Sequence, residues 1–260
     1  MQSVGLDISK FTFELSLDVD PVIGGFSMPG FNFSKLGTKM FLLSPLKVIH
    51  QYSCVDAFSL AGATYDSVDL DLSSELVNSN HGLATSGDGL SIYIVDAAEV
   101  VYQYSGSDSE DLSTFSFSSN SYNLKDDVAN SSFTGGMFVV GDNLFGVDKT
   151  TRILHHWSLT GGDISTATFS AANFSNLDTL GVVNAVSVWV SSDGLLCVVN
   201  GQSVYHQLKM GVAFNLTSLE GTGKTLLADN VSQSSIVFSE DLKIFFQTDI
   251  IGGKSIREYH

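Results

Sequence analysis

The stretch from Ser86 to Phe117 reads SGDGLSIYIVDAAEVVYQYSGSDSEDLSTFSF. An Asp-Gly turn opens it and an alternating apolar run follows. A second run ends in Tyr102-Gln103-Tyr104-Ser105, and Asp111-Leu112-Ser113-Thr114 leads into a third. Short alternating runs separated by turn residues are strands of a small antiparallel sheet.

The unit recurs along the whole chain. Leu36-Gly37, Asp88-Gly89, Asp142-Asn143, Asp193-Gly194 and Glu240-Asp241 occupy the turn, and their second residues are separated by 52, 54, 51 and 47 positions. The next run gives a second ladder: Ile49-His50-Gln51-Tyr52, Val101-Tyr102-Gln103-Tyr104, Leu154-His155-His156-Trp157, Val204-Tyr205-His206-Gln207 and Ile256-Arg257-Glu258-Tyr259. Its fourth residues are spaced by 52, 53, 50 and 52. In this alignment the aromatic Tyr52, Tyr104, Trp157 and Tyr259 gives way to Gln207 in the fourth copy. An aromatic column inside a strand points to packing between neighbouring sheets rather than to a sugar platform repeated once per unit.

The Asp-Leu-Ser-Thr element returns as Asp163-Ile164-Ser165-Thr166 and more weakly as Ala57-Phe58-Ser59 and Asn215-Leu216-Thr217. The fifth copy ends at Tyr259-His260 without it, and the matching segment stands at the other terminus as Asp7-Ile8-Ser9-Lys10-Phe11-Thr12-Phe13. The repeat is circular. An open array needs capping units, whereas a ring closed by a strand from the far terminus needs none and hides its free edge. The sequence therefore predicts an all-β, five-bladed β-propeller of four-stranded antiparallel blades, its last blade completed by the N-terminal strand. The blades fall at about 21–72, 73–127, 128–179, 180–229, and 230–260 plus 5–20, leaving no room for a second domain.

Composition fits this reading. A 260-residue chain with 43% apolar residues can bury about 70–75% of its unfolded surface without metal or disulfide. Eighteen Phe and eight Tyr suit sheets packed face to face. A formal charge of −16 argues against gripping nucleic acid or an anionic membrane. The N-terminal MQSVGLDISK lacks a basic segment followed by an apolar core, so no signal peptide is expected, and no apolar run is long enough to insert in a membrane. Cys54 and Cys197 fall in non-neighbouring repeats and read as free apolar thiols. The Asn-x-Ser/Thr sequons at Asn32, Asn130, Asn173, Asn215 and Asn230 are by-products of a Ser- and Asn-rich chain.

Few residues propose chemistry. Asp108, Glu110 and Asp111 form an acidic loop, the one weak calcium candidate, but their spacing departs from the EF-hand loop. The adjacent His155 and His156 point to opposite faces of a strand and cannot chelate together. Ser218 to Thr225 approximates a phosphate loop, yet the first glycine is missing and no strand-to-helix context surrounds it. The inner strands, expected at Phe26–Phe33, Asn80–Ser86, Thr134–Val140, Asn184–Val190 and Ser232–Phe238, contain no Asp, Glu, Lys or Arg, and His81 is their only titratable group. A glycosidase needs converging carboxylates there, and no G-x-S-x-G nucleophile elbow is present. No catalytic residue and no cofactor are expected, with a glycoside hydrolase drawing on loop carboxylates as the remote alternative.

The unit running from Asp88 to Ser118, and again in degraded form from Asp142 to Ser170, resembles propeller repeats of bacteriophage virion proteins, with Asp-Gly-x-x-Leu/Met-Tyr-Val, Val-Tyr-Gln-Tyr and Asp-Leu/Ile-Ser-Thr-Ala at similar spacing. The resemblance covers the chain and is sharpest in repeats two and three. It implies a structural or adhesive part of a virion, assembled in the host cytoplasm, whose partners are other virion proteins. A host-surface glycan is the alternative partner. Without a fibrous stalk or separate anchor, a head-decoration or tail-accessory role is expected over an adhesin.

Overall fold

A computed structural model describes residues 6–19, 22, 30–76, 78–133, 137–201, 204–227, 235–239, 241–249 and 255–260, with backbone alone at Asn80, His81 and Asp249. Five antiparallel sheets form a five-bladed β-propeller. From the inner to the outer strand, blade 1 is Gly30–Phe33, Lys39–Leu43, Val48–Ser53 and Thr64–Asp71. Blade 2 is Asn80–Thr85, Ser91–Asp96, Val100–Ser105 and Ser116–Asn123. Blade 3 is Met137–Val140, Asn143–Asp148, Ile153–Thr160 and Asp163–Phe169, with a short Ser175–Asn176 segment pairing back on the third strand. Blade 4 is Ser187–Val190, Leu196–Asn200, Val204–Met210 and Leu219–Leu227. Each inner strand touches the next around the ring, including Ile236–Phe238 against Gly30–Phe33. The expected inner-strand residues 26–29, 134–136 and 232–234 lie outside the described residues.

Blade 5 is built from both ends of the chain. Ile236–Phe238, Phe245–Asp249 and Ser255–Tyr259 come from the C-terminus, and Phe13–Asp18 pairs antiparallel with the last of these from Phe13 opposite Tyr259 to Asp18 opposite Ser255. Thr12 and His260 exchange both backbone hydrogen bonds just beyond. The ring therefore presents no open seam.

The buried apolar side chains fall into five clusters, and each cluster lies between two blades. Alternation along each third strand creates this arrangement. One side chain of a pair points to the preceding blade: Tyr52, Tyr104, Trp157, Leu208 and Tyr259, all buried. Its neighbour points to the following blade: Gln51, Gln103, His156, Gln207 and Glu258, also buried. The fourth copy thus carries Leu208 in the aromatic column, and Gln207 belongs to the polar one. The pairing of the outer strand skips between His206 and Leu208 as it does between His50 and Tyr52 and between Tyr102 and Tyr104. The fourth-copy alignment read from sequence is therefore one residue early.

At those three skips the outer strand places three residues opposite one, and the middle one is left-handed: Ser67 at φ 58°, Ser119 at φ 66° and Gly223 at φ 75°. Such a bulge re-aims the residue facing it, here the glutamine. Its amide oxygen then accepts from a backbone N–H in the next blade: Leu112 to Gln51 at 2.7 Å, Ile164 to Gln103 at 3.0 Å and Ile8 to Gln207 at 3.0 Å. These donors follow Asp111, Asp163 and Asp7, whose carboxylates each accept from the N–H two residues on. The Asp-Leu-Ser element is thus an Asx turn that lifts one N–H out for the neighbour. In blade 1 the equivalent is Ser59-Leu60-Ala61, with Ala61 N–H donating to Ser59 Oγ. That is two residues later than the Ala57 start read from sequence.

The turns after the inner strands use a shared device. Ser86, Ser191 and Ser239 each donate to the aspartate two residues on, Asp88, Asp193 and Asp241, and each accepts from an N–H five residues on. The fifth turn is therefore centred on Asp241-Leu242, again one residue later than its sequence alignment. Gly37 and Gly194 take positive φ, 72° and 68°, beneath the rings of Phe58 and Phe214, which a Cβ would overlap.

Candidate functional site

Glu110, the centre of the calcium candidate, is a clamp between blades. Its carboxylate accepts from Ser34 Oγ at 2.5 Å, Thr38 Oγ1 at 2.6 Å and Leu36 N–H at 3.0 Å, all in the blade 1 turn. That turn lacks the aspartate of the others, having Leu36 in its place, and Glu110 supplies the missing acceptor from the adjacent blade. Partial burial alone would raise this carboxyl, but those hydrogen bonds outweigh it and hold it below the ordinary range. Asp111 is held low by the Ser113 hydroxyl and N–H that it caps. Asp108 accepts from the Glu110 N–H at 2.9 Å. Among the described residues no group of three His, Cys, Asp or Glu is placed to hold a metal.

The two adjacent histidines part as strand geometry requires. His156 stacks on Phe145 and lies 2.8 Å from Asn143 Oδ1 through Nε2 and 2.9 Å from Asn173 Nδ2 through Nδ1. Asn173 in turn accepts the Leu216 N–H at 2.6 Å and donates to Phe214 O, so the blade 3 joint is an imidazole with an asparagine relay. His155 is packed by Phe133, Trp157 and Phe169, and neither ring nitrogen has a hydrogen-bond partner among the described residues. Burial holds both histidines below their ordinary value. Cys54 and Cys197 are free, with burial pushing the Cys54 thiol up to about 11. The Ser218–Thr225 segment lies largely in the outer strand of blade 4, where Lys224 reaches Asp7 at 3.3 Å. The side chain of His81 lies outside the described residues.

A concavity opens on the axis. The ends of all five inner strands and the turns after them enclose a cup of about 600 Å³. Phe138, Trp189 and Phe238, from three successive blades, form an aromatic arc with centroids 6.2 and 4.5 Å apart. Val140, Val190 and Val237 fill between them, and Asn32, Thr85 and Ser192 add polar groups. Deeper on the axis Leu83, Met137, Val188 and Ile236 narrow the space to about 10 Å³. Lys35, at the rim, is the one charged side chain lining the cup among the described residues, and its charge falls on Asp88. The Ser86 and Ser239 hydroxyls there are engaged by their own turns.

The cup was not legible beforehand. Trp189 and Phe238 also belong to the core between blades 4 and 5, with Phe138 packed against it, and only the ring brings the three together. Glu110 stands out in the sequence as part of an acidic loop, but its role depends on a partner turn 72–76 residues away.

No protein-family model matches the sequence, and no curated protein is similar to it. Among solved structures, one titled as a functionally unknown protein from Desulfotomaculum acetoxidans DSM 771 is 11% identical with a TM-score of 0.49, over 84% of this chain and 62% of that one. A chain in the crystal structure of the mitotic checkpoint complex is 13% identical with a TM-score of 0.47, over 85% and 60%. This chain spans less than two thirds of either. Neither likeness reaches the level at which it speaks for a shared activity. Among the described residues no helix is long and apolar enough to cross a membrane.

Proposed function

We propose that this propeller is a non-enzymatic structural component of a bacteriophage particle, a head-decoration or tail-accessory protein that binds other virion proteins through one face of its disc. The observation that carries the binding role is the chemistry of the axial cup, an aromatic and aliphatic surface without a carboxylate among the described residues. Acid–base or nucleophilic catalysis requires titratable groups within reach of a reacting atom. The carboxylates and imidazoles nearest to suggesting chemistry, Glu110, Asp111 and His156, are engaged in joints and caps. The virion setting is supported by the repeat resemblance.

Mass spectrometry of particles purified through a density gradient tests the setting: the protein is expected at a fixed copy number, and its absence from washed particles refutes the role. A second reading, a host-glycan module, draws on the aromatic arc and on Asn32 and Thr85 beside it. A glycan array with no signal would remove it.

A further inference from the structure

The cup has a surround that distinguishes the two ends of the disc. Ten large apolar side chains are exposed among the described residues. Six of them, Leu36, Leu90, Leu195, Val55, Val212 and Phe13, lie at the end where the cup opens, in the turns after inner strands, the loops before outer strands and the start of the closing strand. Leu46, Val183 and Leu227 are at the opposite end. Leu36 lines the cup, Leu90 and Leu195 stand in equivalent turns, and Val55, Val212 and Phe13 lie on the same face toward the outer strands; exposed apolar side chains collected on one face mark an interaction surface.

The lining narrows the class of occupant. A sugar needs several free donors and acceptors, and two of the hydroxyls here are committed to their own turns. A cup of about 600 Å³ walled by Phe138, Trp189 and Phe238 suits a large apolar group. The exposed apolar side chains of this face run from the cup out to the outer strands, farther than a small molecule would cover, which calls for a polypeptide. Charge sets the flanks: the turns at the mouth carry Asp88, Asp142, Asp193 and Asp241 against Lys35, beside Asp88, and Lys243, paired with Asp241 at 2.9 Å, which leaves the rim acidic on a chain of net charge −16.

We infer that the cup receives a leucine-sized or aromatic side chain at the tip of a partner protein's loop or terminus, flanked by Lys or Arg that face the aspartates of the rim. This rests on the reading of the propeller as a protein-binding module and names the face and the partner's chemistry. Large apolar anchors seated in a pocket dominate such interfaces, and complementary charge around them speeds and orients docking.

The test uses the purified full chain as bait for a library of short random peptides, in parallel with Ser192→Phe, which fills the cup from an exposed wall position, and Leu36→Ser at the rim. Circular dichroism melts establish that both variants are folded. The expected result is enrichment of peptides with a large apolar residue next to Lys or Arg, bound at least about tenfold more weakly by both variants. No enrichment, enriched peptides without an apolar tip, equal binding to the variants, or displacement by oligosaccharide would overturn the inference. A propeller found in particles that fails here loses only its cup; one that passes here and is missing from particles loses only its virion role.

Discussion

The joint between blades 2 and 3 and the seam between blades 5 and 1 do the same work with different chemistry. At the first, the amide of Gln103 accepts the Ile164 N–H at 3.0 Å, and Asn120 Nδ2 donates to Asp163 at 2.9 Å. At the seam, Glu258 accepts the Leu60 N–H at 2.7 Å, and its other oxygen lies 2.6 Å from His260 Nε2. A neutral amide inside a continuous stretch of chain is replaced by a buried carboxylate where the termini meet. Burying a carboxylate is costly unless it is hydrogen-bonded on both oxygens, so the seam depends on its partners more steeply than any other joint.

The largest effect should come from breaking the seam outright. Deleting residues 1–18 removes the closing strand, the Ile8 donor and the cover on the edge of blade 5. Denaturant unfolding should show a loss of more than about 5 kcal/mol, and a truncated protein that keeps its midpoint would show that the ring does not need closing. Glu258→Ala strands the Leu60 N–H and should cost about 3 kcal/mol, against about 2 kcal/mol for Gln103→Ala. Glu258→Gln keeps one acceptor and should stay within about 1 kcal/mol of the parent. Equal losses for the two alanine variants would erase the contrast between seam and joint.

A double-mutant cycle sharpens the comparison at the joint of blades 1 and 2. Glu110→Ala should cost about 1–3 kcal/mol by removing the acceptor of Ser34 and Thr38. Leu36→Asp restores the turn chemistry of the other blades and should recover at least about 1 kcal/mol in the Glu110→Ala background while gaining nothing in the parent. Additive effects would mean that Glu110 is not the stand-in for a missing aspartate.

The smallest effect concerns acid. His155 and His156 are held below the ordinary histidine value of 6.5 by burial. Above that pH both folded and unfolded chains are neutral at these positions and the stability is fully present. As pH falls below it the unfolded chain binds protons that the folded chain refuses, so stability declines by about 1.4 kcal/mol per unit for each histidine. His155→Phe, which fills an aromatic box, should flatten part of that slope below pH 6.5 in thermal melts. An unchanged slope would exclude His155 as a contributor.

The ring, its blade number and the terminus that closes it are all written in local pattern, because each repeat encodes its own turn, alternation and Asx cap. Asp7-Ile8-Ser9 matches Asp111-Leu112-Ser113 in sequence and in capping geometry alike. Register was harder. Val204-Tyr205 imitates Val101-Tyr102, yet Gln207 faces the same bulge as Gln51 and Gln103, so Val204-Tyr205 corresponds to Val100-Val101 and the polar residue, not the Val-Tyr pair, keeps the register. The better signal was Ala57-Phe58-Ser59-Leu60 against Ala213-Phe214-Asn215-Leu216, where Phe58 and Phe214 share positive φ and both donate to the turn glycine carbonyl. The cup and the Glu110 clamp are properties of the closed ring, so no single repeat announces them.

The pairing of Phe13 with Tyr259 also sets an order of events. Among the described strands Phe13–Asp18 pairs only with Ser255–Tyr259, so during synthesis it waits without its mate while four blades accumulate behind it. Contacts that span nearly the entire chain form slowly, and until they do the nascent disc carries two raw edges. Completion is therefore a single late event, and a chain interrupted a few residues before Tyr259 would hold almost all of its sheets yet lack the latch that makes them a circle.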